Sequence, residues 1–223
     1  MTDLEVPRVV ETPPGADGDH LLAALDVPPP RATLVLNGST GDLDAAVADH
    51  LAAAFREDGL AEAVSRERLT TVTGGTDAGI FSILGRALVD RSAPLIGVAP
   101  LDLVSWSGGA GQVPLEPHHS HFVLVEGDEW GDETSTLLAV ARALGRRAPS
   151  VAVICGGGPV TRNEALGHVR DGRPLVVLAG SGRFADDLAQ GVEDLGDGAK
   201  VTVCPVDAGG PALARAVIGA LWP

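Results

Sequence analysis

The sequence is poor in aromatic and in basic residues. Aromatic side chains make up 3% of its 223 residues and Tyr is absent, so Ala, Val and Leu must build the core. Sixteen Lys and Arg residues stand against thirty Asp and Glu residues, which gives a formal net charge of -14. Proteins that grip nucleic acid backbones need clustered basic side chains. This balance argues against a nucleic acid partner, and an anionic ligand would need local donors.

Long apolar runs and cysteine patterns are also missing. No run approaches the ~20 apolar residues of a membrane-spanning helix, and residues 1–20 lack the apolar core of a signal peptide. Cys155 and Cys204 show neither metal-site spacing nor a disulfide framework. We therefore expect a cytoplasmic protein with no membrane partner, no bound metal and two buried thiols.

Apolar runs alternate with helical patterns along most of the chain. We predict an irregular N-terminal arm over residues 1–31 and one domain over residues 32–223. The predicted strands are 32–36, 69–73, 94–99, 121–125, 151–155, 175–179 and 201–204. The predicted helices are 43–55 with a possible extension to 66, 80–90, 133–146, 161–169, 184–191 and 211–221.

The pattern of these runs predicts the fold class. They are rich in Val, Leu and Ile without clean alternation, as expected for strands covered on both faces. Helical spacers at this interval imply parallel crossover connections. We predict an α/β protein with a doubly wound, mostly parallel sheet of about seven strands. Its ligand site is expected beyond the carboxyl ends of the strands, where the strand order reverses.

Three predicted strands end in glycine-dense turns that lead into helices. These turns cover residues 74–79, 156–161 and 180–183. Glycine lets the backbone approach a ligand, and free N–H groups at a helix start favour an anion. Three such turns favour a nucleotide-like ligand. Neither the Walker A motif nor the dinucleotide fingerprint occurs, which excludes P-loop and kinase interpretations.

Several side chains near these turns allow two interpretations each. Arg183 can donate a bidentate hydrogen bond to two phosphate oxygens, or it can form an ion pair with a surface carboxylate. Asp77 can hold a ribose hydroxyl or cap the next helix. Thr161 and Glu164 have the spacing of a capping box, whereas Glu164 could also serve as a catalytic carboxylate at a ribosyl centre.

Two histidines flank Ser120 at a predicted strand start. Strand alternation predicts that His119 and His121 share one face of the sheet. No third metal ligand sits at a recognisable spacing, so we expect one histidine to line the pocket and one to hold structure. The irregular stretch 100–117 is long enough to form a lid or a surface excursion.

Several short strings together resemble the SLOG domain of TRPM cation channels. They cover residues 73–80, 96–99, 119–125, 157–161 and 180–186. The chain resembles a stand-alone prokaryotic relative of that module, often called LSDAT. The resemblance implies a Rossmann-like fold that binds nucleotide-derived small molecules, with ADP-ribose as the ligand in some channel relatives.

The residues and the resemblance together indicate one set of ligand contacts. The ligand's phosphate, ribose and base would be held by turn backbones, one arginine and one strand start. The first turn departs from the Thr-Gly-Gly turn of the channels at Asn37 and Ser39. The expected binding residues are Asn37, Gly38, Ser39, Gly74, Gly75, Thr76, Asp77, Gly79, Ser120, His121, Gly157, Gly158, Pro159, Thr161, Gly180, Ser181, Gly182 and Arg183.

Residues 157–164 also resemble the Gly-Gly-x-Gly-Thr-x-x-Glu motif of LOG-type phosphoribohydrolases, with Val160 in place of a glycine. That resemblance implies an N-glycosidase in which Glu164 is catalytic and Arg183 or Arg162 clamps phosphate. Three hypotheses follow: a ligand sensor or carrier that requires no cofactor, an N-glycosidase, and an interaction domain whose site has decayed. The expected partner is a nucleotide-derived small molecule, and a homodimer through Trp222 or an effector protein is a further candidate.

Overall fold

Parallel strands form the centre of the fold. The computed structural model describes residues 6–41, 43–56, 58–88, 93–106 and 111–223. The main sheet contains β1 (Arg8–Thr12), β2 (Thr33–Gly38), β3 (Thr70–Thr73), β4 (Leu95–Pro100), β7 (His121–Val125), β8 (Ser150–Cys155), β9 (Leu175–Ala179) and β10 (Val201–Pro205). A separate two-stranded pair joins β5 (Val104–Ser105) and β6 (Val113–Pro114).

Helices cover both faces of this sheet. They are α1 (Gly18–Ala24), α2 (Ala45–Phe55), α3 (Leu60–Glu67), α4 (Gly79–Ala87), α5 (Thr134–Gly145), α6 (Pro159–Arg170), α7 (Arg183–Ala189) and α8 (Gly210–Leu221). Within the described ranges, none of them combines the length and the apolar character that crossing a membrane requires.

The sheet is doubly wound. Its strand order is β1-β7-β4-β3-β2-β8-β9-β10, and every neighbouring pair is parallel. From β2 the chain proceeds to β3 and β4 on one side and later to β8, β9 and β10 on the other. The strand order therefore reverses between β2 and β8. The predicted Rossmann-like α/β class is confirmed, with eight strands instead of about seven.

Two apolar layers explain why the strands do not alternate between apolar and polar residues. Leu34 and Leu36 of β2 pack with residues of α2, α3, α4 and α8. Val35 lies between them in sequence and packs with residues of α1, α5, α6 and α7. Because helices cover both faces, successive residues of a central strand are all buried.

The N-terminal segment differs from the prediction of an irregular arm. Residues 8–12 form β1, which pairs in parallel with β7 and places Val10 opposite Val123. α1 packs on α5, and Asp19 forms ion pairs with Arg146 and Arg147. The prediction was wrong for these residues because a short, half-buried edge strand lacks the long apolar run that marked the central strands.

Two other segments refine the predicted boundaries. The helix expected over 43–55 with an extension to 66 is two helices, α2 and α3. They are separated at Gly59, where a Cβ atom would lie 2.1 Å from the Ala54 carbonyl oxygen. The predicted helix 80–90 ends at Ala87 as α4, and residues 89–92 lie outside the described residues.

The stretch 100–117 was considered as a lid. Its C-terminal end packs against the turn after β3. Pro114 accepts the Asp77 N–H at 2.7 Å, and Gly75 accepts the Glu116 N–H at 2.9 Å. Residues 107–110 of the stretch lie outside the described residues.

Candidate functional site

A cleft opens at the carboxyl ends of β2, β3 and β8, where the strand order reverses. Turn backbones form much of its wall, and five larger side chains complete it. Its lining residues are Gly38, Ser39, Thr40, Gly41, Gly74, Thr76, Phe81, Trp130, Glu133, Gly157, Gly158, Pro159, Val160, Thr161, Glu164 and Arg183. This is the position that the doubly wound topology predicts for a ligand.

The turns after β2 and β8 are tied to each other. The Ser39 hydroxyl accepts the Gly157 N–H at 2.7 Å, and the Ser39 N–H donates to the Cys155 carbonyl at 3.1 Å. Gly38 allows this approach, because a Cβ atom there would lie 1.8 Å from the Cys155 oxygen. The Gly157 amide, expected to hold phosphate, is thus used within the protein.

A buried histidine shapes the turn after β3. Thr73 Oγ1 lies 2.7 Å from His119 Nε2 and accepts the Gly75 N–H at 2.9 Å. His119 Nδ1 lies 2.8 Å from the buried Glu116 carboxylate. Burial acts to raise the pKa of Glu116, but hydrogen bonds from His119 and His118 outweigh it and hold that pKa below its ordinary value. Glu116 therefore accepts from His119 and fixes the ring that supports the turn.

This turn also carries a buried hydroxyl beside the cleft. Thr76 is fully buried and lines the cleft, yet its Oγ1 has no hydrogen-bond partner among the described residues. A buried polar group without a partner costs about 1–3 kcal/mol. Its presence at a cleft is explained when a ligand supplies the missing partner.

The start of α6 forms the opposite wall. The helix begins at Pro159 with Gly158 as its N-cap, and no side chain caps it. Thr161 is therefore inside the first turn, and the predicted Thr161–Glu164 capping box is wrong, because the helix starts earlier than expected. The first N–H groups of a helix have no intrahelical partner. Val160 and Thr161, which line the cleft, carry two of them.

The turn after β9 contributes only Arg183 to the cleft. Ser181 Oγ accepts the Gly156 N–H at 2.8 Å, and the Gly180 N–H donates to Asp186 at 2.6 Å. The Ala185 N–H donates to the Gly156 carbonyl at 3.0 Å. Gly180, Ser181 and Gly182 were expected to cradle phosphate but do not line the cleft. The Ser181 hydroxyl accepts from the β8 turn, and the Gly180 N–H bonds to α7.

Arg183 itself adopts an unusual backbone conformation. Its φ angle is +53°, in the left-handed region that non-glycine residues avoid. The side chain is exposed and forms no ion pair with any other described residue. Strain of this kind concentrates at functional sites.

Six further predicted residues do not line the cleft, namely Asn37, Gly75, Asp77, Gly79, Ser120 and His121. Gly75 is buried behind the turn after β3, and Gly79 packs against Ser39. Asp77 accepts from the Ser82 hydroxyl at 2.6 Å, and Ala78 holds the N-cap position of α4. Asp77 is therefore not the predicted helix cap. Its carboxylate is hydrogen-bonded to Ser82 of α4 and lies outside the cleft.

Ser120 and His121 lie at the start of β7, away from the carboxyl ends that form the cleft. Ser120 Oγ accepts the Leu95 N–H at 3.0 Å. Burial, followed by the positive charge of Arg8, lowers the pKa of His121. The expected pocket role of Ser120 and His121 was wrong, because parallel strands place a strand start at the opposite edge from the strand ends.

The two histidines also contact different parts of the protein. His119 stacks on Phe122 with ring centroids 5.4 Å apart, whereas His121 lies near Arg8 and Asp26. The alternation rule failed because His119 precedes β7 and lies in a turn. Within the described ranges, no three His, Cys, Asp or Glu side chains are arranged to hold a metal ion.

Two buried carboxyl groups face the cleft together. Burial, followed by the charge of Glu133, raises the pKa of Glu164 to about 8, and the polar side chain of Asn37 acts in the opposite direction. Burial likewise raises the pKa of Glu133, whose carboxyl accepts the Gly131 N–H at 2.8 Å. Glu164 is therefore mostly protonated at neutral pH and can donate a hydrogen bond or a proton.

Sequence reasoning missed several residues of the site, including its aromatic side chains and one of its two carboxyl groups. Glu133 looks like an ordinary acid at a helix start, and only the packing of α5 on α6 brings it near Glu164. Phe81 and Trp130 also line the cleft, and Trp130 keeps 45% of its surface exposed. In a chain with three Trp residues, a Trp inside a polar stretch and next to Gly131 was the available signal.

Comparison with known proteins decides the family. The family model described as "SLOG in TRPM, prokaryote" matches residues 31–214. The chain belongs to this family. The match covers all three glycine-rich turns and α6, so the cleft lies within the SLOG domain.

Curated relatives of this SLOG domain are far longer proteins. Transient receptor potential cation channel subfamily M member 2 is 26% identical in Mus musculus and 25% identical in Rattus norvegicus. Each alignment covers 74% of this chain and 13% of the channel, so the chain spans about an eighth of their length.

Two solved structures share the fold. The TM1055 structure has a TM-score of 0.56 at 20% identity, covering 78% of this chain and 91% of that chain. The molybdenum cofactor carrier protein of Chlamydomonas reinhardtii has a TM-score of 0.56 at 18% identity, covering 86% of this chain and 99% of that chain. At these identities the likeness concerns the SLOG fold alone.

Proposed function

We propose that this SLOG domain binds a nucleotide-derived small molecule in the cleft between β2, β3 and β8. The observation that carries the proposal is the buried, unpartnered Thr76 hydroxyl on a cleft that also contains the uncapped start of α6. A helix N-terminus attracts anions, so phosphate oxygens of the ligand would accept from the first amides of α6, and another polar group of the ligand would bond the hydroxyl.

Arg183 supplies the positive charge for such a ligand. Its guanidinium can donate two parallel hydrogen bonds to phosphate oxygens. In a chain of net charge -14, an arginine on a strained backbone and without an ion pair to a described residue supports a phosphate role. The LSDAT resemblance points to ADP-ribose or another NAD-derived molecule within this class.

The remaining walls suit the other parts of a nucleotide. Trp130 offers an aromatic face on which a base can stack. Glu133 and Glu164 offer carboxyl groups to ribose hydroxyls. Because Glu164 is mostly uncharged at neutral pH, it does not repel a nearby phosphate.

A second function, cleavage of an N-glycosidic bond, has its own support. Glu164 has no capping role, lies buried beside Glu133, and carries a proton near neutral pH. It could give that proton to the departing base nitrogen while water adds to the ribose carbon and returns a proton to Glu164, so that the bond to the base breaks and ribose phosphate forms. Glu133 would then be the second carboxyl group, stabilising the positive ribosyl centre.

A thermal-shift screen with AMP, ADP, ADP-ribose and NAD, followed by chromatography of each mixture, separates these functions. A rise in melting temperature with the ligand recovered intact supports a sensor or carrier. Release of free base by the wild type but not by Glu164→Gln supports the glycosidase. No shift and no product with any of the four would contradict nucleotide binding.

A further inference from the structure

A series of buried side chains supports the turn after β3 from behind. Thr73, Glu116 and His119 are at most 1% exposed, and none of them is among the residues that line the cleft. Thr73 Oγ1 lies 2.7 Å from His119 Nε2, and His119 Nδ1 lies 2.8 Å from Glu116 Oε2. Thr73 Oγ1 also accepts the Gly75 N–H at 2.9 Å. One imidazole and one hydroxyl therefore connect a carboxylate to a main-chain amide of the turn.

The direction of each of these hydrogen bonds can be assigned from chemistry. Glu116 is ionised at neutral pH because its pKa is held below its ordinary value, and an ionised carboxylate only accepts. His119 Nδ1 therefore carries a proton and donates to Glu116. The Gly75 amide only donates, so the Thr73 hydroxyl proton has one acceptor among the described residues, His119 Nε2. Glu116 thus determines the tautomer of His119, and His119 determines which way the Thr73 hydroxyl points.

Glu116 is itself held in place from several sides. Its Oε2 also accepts the His118 N–H at 2.9 Å, and its Oε1 lies 2.5 Å from His118 Nδ1. Its main-chain N–H donates to the Gly75 carbonyl at 2.9 Å. Gly85 of α4 leaves room for the carboxylate, because a Cβ atom there would overlap with it. The carboxylate therefore has one position, from which it fixes the His119 ring.

The turn that these side chains hold forms part of the wall of the cleft. Gly74 and Thr76 line the cleft on either side of Gly75. The N–H of Gly75 is bonded to Thr73, and its carbonyl accepts from Glu116. Because both polar groups of this peptide backbone are held, the two neighbouring residues are fixed in the wall.

We propose that Thr73, His119 and Glu116 are positioning residues that fix Gly74 and Thr76 in the wall of the cleft through the Gly75 amide. The inference rests on the proposed function only for its consequence for a ligand, since that function assigns a ligand bond to the Thr76 hydroxyl. Loss of the Thr73 hydroxyl leaves the Gly75 N–H without its acceptor. The turn then moves, and the bond between Thr76 and the ligand is lost.

Nitrogen-15 NMR of the histidine side chains tests the proton order without any ligand. We expect His119 to carry a proton on Nδ1 and none on Nε2 at neutral pH. A nuclear Overhauser contact with the ring of Phe122 identifies the His119 signals, because the two rings stack with centroids 5.4 Å apart. A proton on Nε2 would overturn the assigned order and with it the role of Glu116.

Substitutions of Thr73 test the hold on the turn. Thr73→Val keeps nearly the same shape and removes the hydroxyl. We expect the Gly75 amide proton signal to move upfield, because its hydrogen bond is lost. AMP affinity should fall about fivefold or more, as the loss of one hydrogen bond to the ligand implies. Thr73→Ser keeps the hydroxyl and should bring both values back near those of the wild type.

Thr71→Val is the matched control for a loss of stability. Thr71 is as deeply buried in β3 as Thr73, and its hydroxyl donates to the Leu69 carbonyl at 3.3 Å, away from the turn. We expect the Gly75 signal and AMP affinity of this variant to stay near those of the wild type. Equal effects of Thr71→Val and Thr73→Val, or no effect of Thr73→Val on either value, would overturn the positioning role.

The two readouts separate this inference from nucleotide binding itself. If the Gly75 signal moves as expected and AMP does not bind the wild type, the hold on the turn stands and nucleotide binding fails. If AMP binds and Thr73→Val changes neither value, the positioning role fails alone. A shifted Gly75 signal with unchanged AMP affinity would overturn the effect of the turn on the ligand. Should Thr73→Val not fold, the His119 tautomer of the wild type still decides the proton order.

Discussion

The Ser39 hydroxyl accepts the Gly157 N–H at 2.7 Å across 118 residues of sequence. It joins the turns after β2 and β8, the two strands between which the sheet reverses its order. This bond fixes the shape of the cleft before any ligand arrives. It also explains why Gly157 is unavailable as a phosphate donor while the first turn of α6 is available.

Ser39→Ala should destabilise the protein by about 1–3 kcal/mol, because the buried Gly157 N–H loses its acceptor. Chemical denaturation measures the change in the free energy of unfolding. Ser135→Ala on the exposed side of α5 is the matched control and should stay within about 0.5 kcal/mol of the wild type. Equal effects of the two substitutions would show that the Ser39 bond adds nothing to stability.

Arg183→Gly should separate stability from binding. Glycine adopts the left-handed backbone without strain, so we expect a stability gain of about 1 kcal/mol. AMP binding should weaken in the same variant, because the guanidinium is lost. Denaturation and calorimetry on one protein sample test both effects. A loss of stability would mean that the +53° φ angle is not strained.

AMP affinity should fall as the pH rises from 7 to 9. Glu164 ionises near pH 8 and then repels the phosphate, whose own charge is constant there because its second pKa is about 6. We expect a loss of about fivefold, which corresponds to ~1 kcal/mol for one charge pair. Glu164→Gln should give a flat profile. A steep profile in that variant would assign the pH dependence to another group.

Trp130→Ala should weaken AMP and adenosine alike, by about 1–3 kcal/mol, because both lose the stacking of the base. Trp222→Ala is a matched control, since Trp222 is 40% exposed and Trp130 is 45% exposed. Calorimetric titrations compare the two variants. If Trp130→Ala binds adenosine as the wild type does, the base lies elsewhere.

The sheet was predictable from the sequence because burial on both faces leaves long apolar runs. Seven of the eight main strands were located in this way, and the glycine-rich turns indicated the edge that carries the cleft. β1 was not predicted, because an edge strand buries too little apolar surface to need a long apolar run. Its pairing with β7 joins segments more than one hundred residues apart.

The site was less predictable because side-chain roles depend on tertiary contacts. Ser181 belongs to a glycine-rich turn, yet its hydroxyl holds Gly156. Glu133 has no motif of its own and matters only through its proximity to Glu164. Asn37 and His168 lie 131 residues apart, so no local pattern shows that their side chains are in hydrogen-bond contact.

The most direct test of nucleotide binding is a calorimetric titration with AMP and adenosine at pH 7. It compares the wild type, Arg183→Ala and Arg215→Ala, the last an exposed arginine of α8 away from the cleft. We expect AMP to bind the wild type and Arg215→Ala more tightly than adenosine does. Arg183→Ala should lose about tenfold or more in AMP affinity, since a hydrogen bond to a charged group contributes about 1.5–3 kcal/mol. Equal affinity of AMP for all three proteins, or no binding to the wild type, would contradict the phosphate site at α6 and Arg183.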